Sequence, residues 1–122
     1  MSDLSGERHL FLVNSEHGEE FGQWWQTVHI PEVVATVPGV VTGQIFQLAP
    51  VQVGAKPTEL RPYLAVYEIE GDPAAVISAL HAVSGAGRLS PPPTPGRTGS
   101  TSAVFSPVTV KLSARPAETP AS

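Results

Sequence analysis

The chain has 122 residues, of which 41% are hydrophobic, and it carries a formal net charge of −4 with no cysteine. This length suits one domain, and the missing cysteines exclude disulfides, thiolate nucleophiles and cysteine-based metal sites. The seven Lys and Arg residues are scattered and no segment is apolar enough to span a bilayer, so we predict a cytoplasmic protein with neither nucleic acid nor membrane partners.

The first part of the chain predicts a strand followed by an interrupted helix. Residues 9–14 form a short apolar run of β-forming side chains, and from about residue 19 the apolar positions follow helical spacing. Pro31 lies within this helix. It lacks an amide proton and its ring would clash with the carbonyl of Thr27, so we expect the helix to kink or restart at Ile30 and Pro31.

Two more strands and a second helix follow in the sequence. Residues 40–48 and 63–70 are rich in β-branched and aromatic side chains, which favour strands. Residues 49–62 hold three prolines and predict a long hairpin loop between them. The Asp72-Pro73 pair then predicts a helix over residues 73–84, with an aspartate N-cap and proline at the first helical position.

Proline and glycine dominate the last connection. Residues 85–99 cannot bury a hydrophobic face and predict an extended or mobile loop. Residues 101–112 return to strand composition, but Pro107 limits them to an edge strand or to two short strands. The predicted divisions are a flexible N-terminus over residues 1–8, one domain over residues 9–112 and a disordered C-terminal tail over residues 113–122.

The order of elements is β-α-β-β-α-β, which predicts an α+β protein of the ferredoxin-like type. Such a domain has a four-stranded antiparallel sheet with two helices on one face. In the third strand, side chains that alternate between the two faces are apolar on both of them. An uncovered apolar face rarely stays exposed in a soluble monomer, so we expect a second copy of the chain to cover it as a homodimer.

His29 is the main candidate for reaction chemistry. Phe21, Trp24, Trp25 and Val28 share one predicted helical face, and His29 falls on its flank beside Trp25. The interruption at Pro31 would leave backbone groups near the imidazole unpaired. A partly buried imidazole in this setting is a candidate general acid or base, and the alternative is a structural histidine that hydrogen-bonds to the broken helical turn.

Three segments resemble the dimeric α+β barrel superfamily, in particular its EthD-like members and the antibiotic-biosynthesis monooxygenases. They are W-x-x-x-H-I-P-E at residues 25–32, V-P-G-V at residues 37–40 and Y-L-A-V-Y-E at residues 63–68. Together with the order of elements, the resemblance extends over about residues 10–112.

The resemblance implies a homodimer whose two sheets close into a barrel, with a small-molecule pocket between each sheet and its helices. It also implies that His29 faces this pocket. The superfamily includes isomerases, cyclases and cofactor-free oxygenases, so the resemblance indicates a scaffold and not one reaction. An arginine that such relatives often have in the second strand is missing near residues 44–46, which weakens the case for an anionic substrate.

Aromatic side chains supply most of the other candidate site residues. Tyr67 and Tyr63 are candidates to donate hydrogen bonds to a developing oxyanion, and the alternative is that they pack in the sheet. Trp24, Trp25 and Phe46 are candidates to bind a planar substrate and exclude water. The alternative for the tryptophans is a role in the core.

Two acidic residues and one amide complete the candidates for substrate binding. Glu32 and Glu68 are candidates to orient His29 or to share a proton with it. The alternatives are interaction with a helix dipole for Glu32 and a solvated strand position for Glu68. Asn14, at the end of the first strand, is a candidate for polarity in the pocket.

No cofactor or metal is expected. His9 and His17 flank the first strand, but together with His29 they lack the spacing of a metal site. A haem-binding relative would need a histidine on a later helix, where His81 stands without supporting context. No phosphate-binding glycine loop and no G-x-S-x-G motif is present.

Two functional hypotheses follow. The first is a cofactor-independent enzyme that acts on a hydrophobic aromatic or polyketide-like small molecule, in which His29 removes a proton and Tyr67 stabilises the resulting oxyanion. Loss of the proton leaves a carbanion, and cyclisation, isomerisation and cofactor-free oxygenation can all begin from it. The second is a non-catalytic dimeric module that binds a small molecule or another protein.

Overall fold

The computed structural model describes residues 4, 6–15, 19–54, 61–90 and 100–114, with the backbone alone for residues 19–21 and 100. The elements within these ranges are β1 (His9–Ser15), α1 (Glu19–Trp24), a π-helical turn (Trp25–His29), α2 (Ile30–Thr36), β2 (Val40–Gln47), β3 (Tyr63–Ile69), α3 (Pro73–Gly85) and β4 (Ser100–Phe105).

The four strands form one antiparallel sheet in the order β2-β3-β1-β4. β1 and β3 lie at its centre, so each helical connection joins two strands that have one other strand between them. The result confirms the predicted α+β class with a four-stranded antiparallel sheet, and it is compatible with a ferredoxin-like fold.

Side chains alternate across the sheet and give it two different faces. On β3, Ala65, Tyr67 and Ile69 are buried against the helices, as the sequence pattern predicts. No described helix covers the other face, which we call the open face. Its residues are Leu10, Leu12 and Asn14 of β1, Thr42, Gln44 and Phe46 of β2, Leu64, Val66 and Glu68 of β3, and Thr101, Ala103 and Phe105 of β4.

The helices share one hydrophobic core with the covered face of the sheet. Buried β3 residues pack with Trp25 of the π-helical turn, Val33 of α2, and Val76 and Val83 of α3. Gly43 of β2 permits the close approach of α2, because a Cβ there would lie 2.8 Å from Cγ2 of Ile30.

The helix predicted over residues 73–84 is α3 in the structure, and its bounds agree closely with the prediction. α3 runs from Pro73 to Gly85, and the carboxylate of Asp72 accepts a hydrogen bond of 3.1 Å from the amide of Ala74. This side chain satisfies one of the amides that a helix leaves unpaired at its N-terminus.

The last strand is shorter than the sequence predicts. The prediction of strand structure up to residue 112 is wrong, because β4 pairs with β1 only as far as Phe105 and residues 106–114 form no strand. Pro107 removes a ladder donor just beyond this point. Parts of the predicted loops and tails lie outside the described residues, namely residues 1–3, 5, 55–60, 91–99 and 115–122, and so does His17.

Candidate functional site

The helix interruption before Pro31 takes the form of a single π-helical turn. The backbone remains right-handed helical at His29 and Ile30, and the amide of Ile30 donates to the carbonyl of Trp25, five residues earlier. The predicted interruption at Ile30 and Pro31 is therefore a wide turn, and the chain stays helical through it. Because Pro31 has no amide proton, one wide turn replaces the ordinary hydrogen-bond pattern at this point.

This turn changes the neighbour of His29. At about 100° per residue, positions five apart on an ordinary α-helix lie about 140° apart. Here the rings of Trp24 and His29 stack, with centroids 4.8 Å apart and an angle of 21° between their planes. The sequence places His29 beside Trp25, whereas the structure stacks it on Trp24. Turns of this π-helical kind occur frequently at functional sites.

His29 borders a cavity of about 220 Å³ between the helices and the covered face of the sheet. The sheet contributes four wall residues and the helical segments contribute four. They are Phe11, Val13, Tyr67 and Ser102 from the sheet, and Trp25, His29, Val33 and Leu80 from the helices. None of these side chains carries a permanent charge. The cavity is therefore an apolar space with three polar side chains in its wall.

Two buried polar atoms in this wall lack ordinary hydrogen bonds. Among the residues that the structure describes, Nδ1 of His29 is buried without a hydrogen-bond partner, and the buried hydroxyl of Tyr67 makes no hydrogen bond of ordinary geometry. Burial raises the pKa of this hydroxyl, and a weak hydrogen bond with the Trp25 side chain opposes the rise only in part. A buried polar group left without a partner costs about 1–3 kcal/mol, so both groups are poised to bind a ligand atom.

Burial also sets the protonation state of His29. It lowers the pKa of the imidazole, and the carboxylate of Glu32 opposes this only in part. The imidazole is therefore neutral at pH 7 and available to accept a proton.

The ring of Tyr67 is held by stacking on Phe11, with ring centroids 5.6 Å apart.

Glu32 lies one helical turn beyond His29 but binds another partner. Its two carboxylate oxygens accept hydrogen bonds of 2.8 Å from the amide of Ser90 and 2.7 Å from the hydroxyl of Ser90. These bonds lower the pKa of Glu32, the amide contributing most. Glu32 thus fixes the chain beyond α3 to the first turn of α2, and it acts on His29 only through its charge.

The structure places the remaining predicted site residues away from the cavity. Tyr63 packs on the helical side of the sheet, where its ring contacts the position of Gly22. Phe46 and Asn14 lie on the open face, and Phe46 is 45% exposed. Glu68 also lies there. It forms an ion pair of 2.8 Å with Arg8, which lowers its pKa.

Several residues of the cavity wall were not singled out from the sequence. Phe11 and Val13 alternate along β1, and Ser102 pairs with Val13 across to β4. Leu80 lies one turn from Val76 on the core side of α3. Their alternation and spacing are signals of a core, and only the register between strands shows that they meet at His29.

Within the described ranges, no helix is long and apolar enough to cross a membrane, and no cluster of three His, Asp or Glu side chains is arranged to hold a metal ion. Comparison with protein-family models, with curated proteins and with solved structures finds no match to this chain.

The lowered pKa of His29 predicts a dependence of stability on pH. Above about pH 6.5 the imidazole is neutral in both states, and below it the unfolded chain binds a proton first. The free energy of unfolding should therefore fall as the pH drops below 6.5 towards the pKa of the folded state, by at most about 1.4 kcal/mol per pH unit.

Urea unfolding of the wild type and of His29→Gln at pH 7.5 and pH 5.0 measures this effect. The variant retains the other histidines and Glu32, so the difference between the two proteins isolates His29. Equal pH slopes for the two proteins would show that folding does not change the pKa of His29.

Proposed function

We propose that the chain is a cofactor-independent enzyme that moves a proton on a hydrophobic aromatic or polyketide-like small molecule. The observation that supports this most is the presence of two buried polar groups without ordinary partners, His29 and Tyr67, in the wall of one apolar cavity. Paired unsatisfied groups of this kind are costly for stability, and a bound substrate would satisfy them.

The proposed step is removal of a proton from the carbon next to a carbonyl group. The C–H bond breaks, the proton moves to the neutral imidazole of His29, and the electron pair moves onto the carbonyl oxygen as an enolate. The hydroxyl of Tyr67 donates a hydrogen bond to this oxygen. Cyclisation, isomerisation or oxygenation would continue from the same enolate.

The tryptophans would exclude water from this step. Trp25 is 3% exposed and forms part of the cavity wall, and Trp24 holds the imidazole by stacking. Phe46, which the sequence groups with them, lies on the open face and has no part in the proposed step.

Deuterium exchange tests the proposed chemistry without knowledge of the natural substrate. The methyl protons of acetophenone and of its two-ring analogue 2-acetylnaphthalene are followed by proton NMR in D2O. The protein should accelerate exchange of at least one probe, with a rate that saturates as the probe concentration rises. A rate no greater than that of free imidazole at the same concentration would contradict the proposal.

For the fold, we propose a ferredoxin-like domain that pairs with a second copy into an α+β barrel. The strand order supports the first part, because each helical connection passes over one intervening strand, as in a split βαβ arrangement. The open face supports the second, because it carries Leu12, Leu64 and Val66 at its centre and Phe105, 54% exposed, near its edge.

A charge at the centre of the open face should break this dimer. Val66→Lys should shift the sedimenting species from dimer to monomer, because an unpaired ammonium would be buried between the sheets. Val53→Lys is the matched control, since Val53 is fully exposed in the loop after β2. A wild-type protein that sediments as a monomer at micromolar concentration would contradict the dimer.

A further inference from the structure

The size of the cavity limits what can bind beside His29. Its volume is about 220 Å³. Pockets for drug-sized molecules are usually about 300–1,000 Å³, and an apolar cavity of about 150 Å³ holds one benzene ring. The space in this protein therefore holds one ring with a small substituent, and a second fused ring would have to lie outside the cavity or displace wall residues.

The wall also limits the charge of the ligand. It contains no Lys, Arg, Asp or Glu, and burial keeps the imidazole of His29 neutral. The nearby carboxylate of Glu32 is held by Ser90. An ionised ligand would lose its hydration without gaining a partner of opposite charge, which is a large cost in an apolar site.

Polar groups in the wall indicate where an oxygen atom of the ligand would lie. The hydroxyl of Tyr67 and Nδ1 of His29 are buried, whereas Ser102 on the edge strand β4 is exposed. The interior therefore offers hydrogen bonding to one polar group of a ligand, and the rest of the ligand meets hydrocarbon.

We propose that the ligand of this cavity is a neutral single-ring molecule with one carbonyl or phenolic oxygen, and that Leu80 on α3 sets the size limit. This inference rests on the function proposed above and narrows its substrate class, since multi-ring polyketide-like molecules would not fit. Leu80 sets the limit because it is the wall residue that α3 contributes opposite the sheet, and truncating it to alanine removes three carbon atoms from the wall.

Calorimetric titration of the full chain with four probes tests the proposal. Acetophenone should bind at least about tenfold more tightly than 2-acetylnaphthalene, because even one methylene changes affinity by about 10-fold or more in a fitted pocket. Benzamide should bind at least about tenfold more tightly than benzoate, which has the same shape but is charged.

The variant Leu80→Ala should narrow or reverse the preference between one and two rings. Ile77→Ala is the matched control on the same helix, because Ile77 is partly buried but is not part of the cavity wall. The Ile77→Ala protein should keep the wild-type preference for the one-ring probe over the two-ring probe.

Each outcome separates this inference from the proposed function. Equal affinities of the wild type for the one-ring and two-ring probes, or for benzamide and benzoate, would overturn the size or charge limit even if exchange is catalysed. Binding in the predicted order without any catalysed exchange would support the limit and contradict the enzyme. Binding of none of the four probes would overturn this inference.

Discussion

Replacing His29 by alanine should lower the protein-catalysed exchange of the probe protons by about 100- to 10,000-fold. This is the usual contribution of a positioned general base. The imidazole is suited to this role because burial lowers its pKa and keeps it neutral, and because stacking on Trp24 fixes the orientation of its ring. Alanine leaves no group at this position of the cavity wall that can accept a proton.

His81→Ala is the control for this experiment. His81 is an exposed histidine on α3, outside the cavity wall, so its loss should leave the exchange rate unchanged. Circular dichroism and the unfolding midpoint of both variants show whether each has folded. A folded His29→Ala protein that retains wild-type exchange would exclude His29 as the base and favour the non-catalytic module.

Replacing Tyr67 by phenylalanine should change activity and stability in opposite directions. Loss of one donor to a developing oxyanion typically costs about 100- to 1,000-fold in rate. The same change removes a hydroxyl that is buried without an ordinary hydrogen bond, while the phenyl ring and its stacking on Phe11 remain. The free energy of unfolding should therefore stay equal or rise, by up to about 1–3 kcal/mol.

Tyr63→Phe serves as the matched control. Tyr63 lies on the same face of the same strand but outside the cavity wall, so removal of its hydroxyl should leave the exchange rate unchanged. A Tyr67→Phe protein that is less stable by 1 kcal/mol or more would show that the hydroxyl serves the fold. Wild-type exchange in that variant would remove Tyr67 from the mechanism.

The sequence is sufficient for the elements whose signals are local. Alternating side chains predict β3, and the capping chemistry of Asp72 and Pro73 predicts the start of α3, because each signal lies within a few residues of the structure it produces. The interruption of the helix at Pro31 could also be predicted, because a missing amide proton affects the helical turn that contains it.

Features that depend on register or on competing hydrogen bonds could not be predicted in the same way. A π-helical turn and an ordinary kink both accommodate Pro31, and only the turn stacks His29 on Trp24. Glu68 follows Tyr67 directly, and alternation places the two side chains on opposite faces of the sheet. The partners of Glu68 and Glu32, which are Arg8 and Ser90, lie 60 and 58 residues away along the chain.

A crystal structure of the protein with acetophenone tests the central claim most directly, namely that the cavity at His29 and Tyr67 is a proton-transfer site. We expect one molecule in the cavity, with its carbonyl oxygen about 2.6–3.2 Å from the hydroxyl of Tyr67 and its methyl carbon about 3–3.5 Å from a ring nitrogen of His29. A cavity filled by its own side chains, or a bound probe with neither contact, would contradict it.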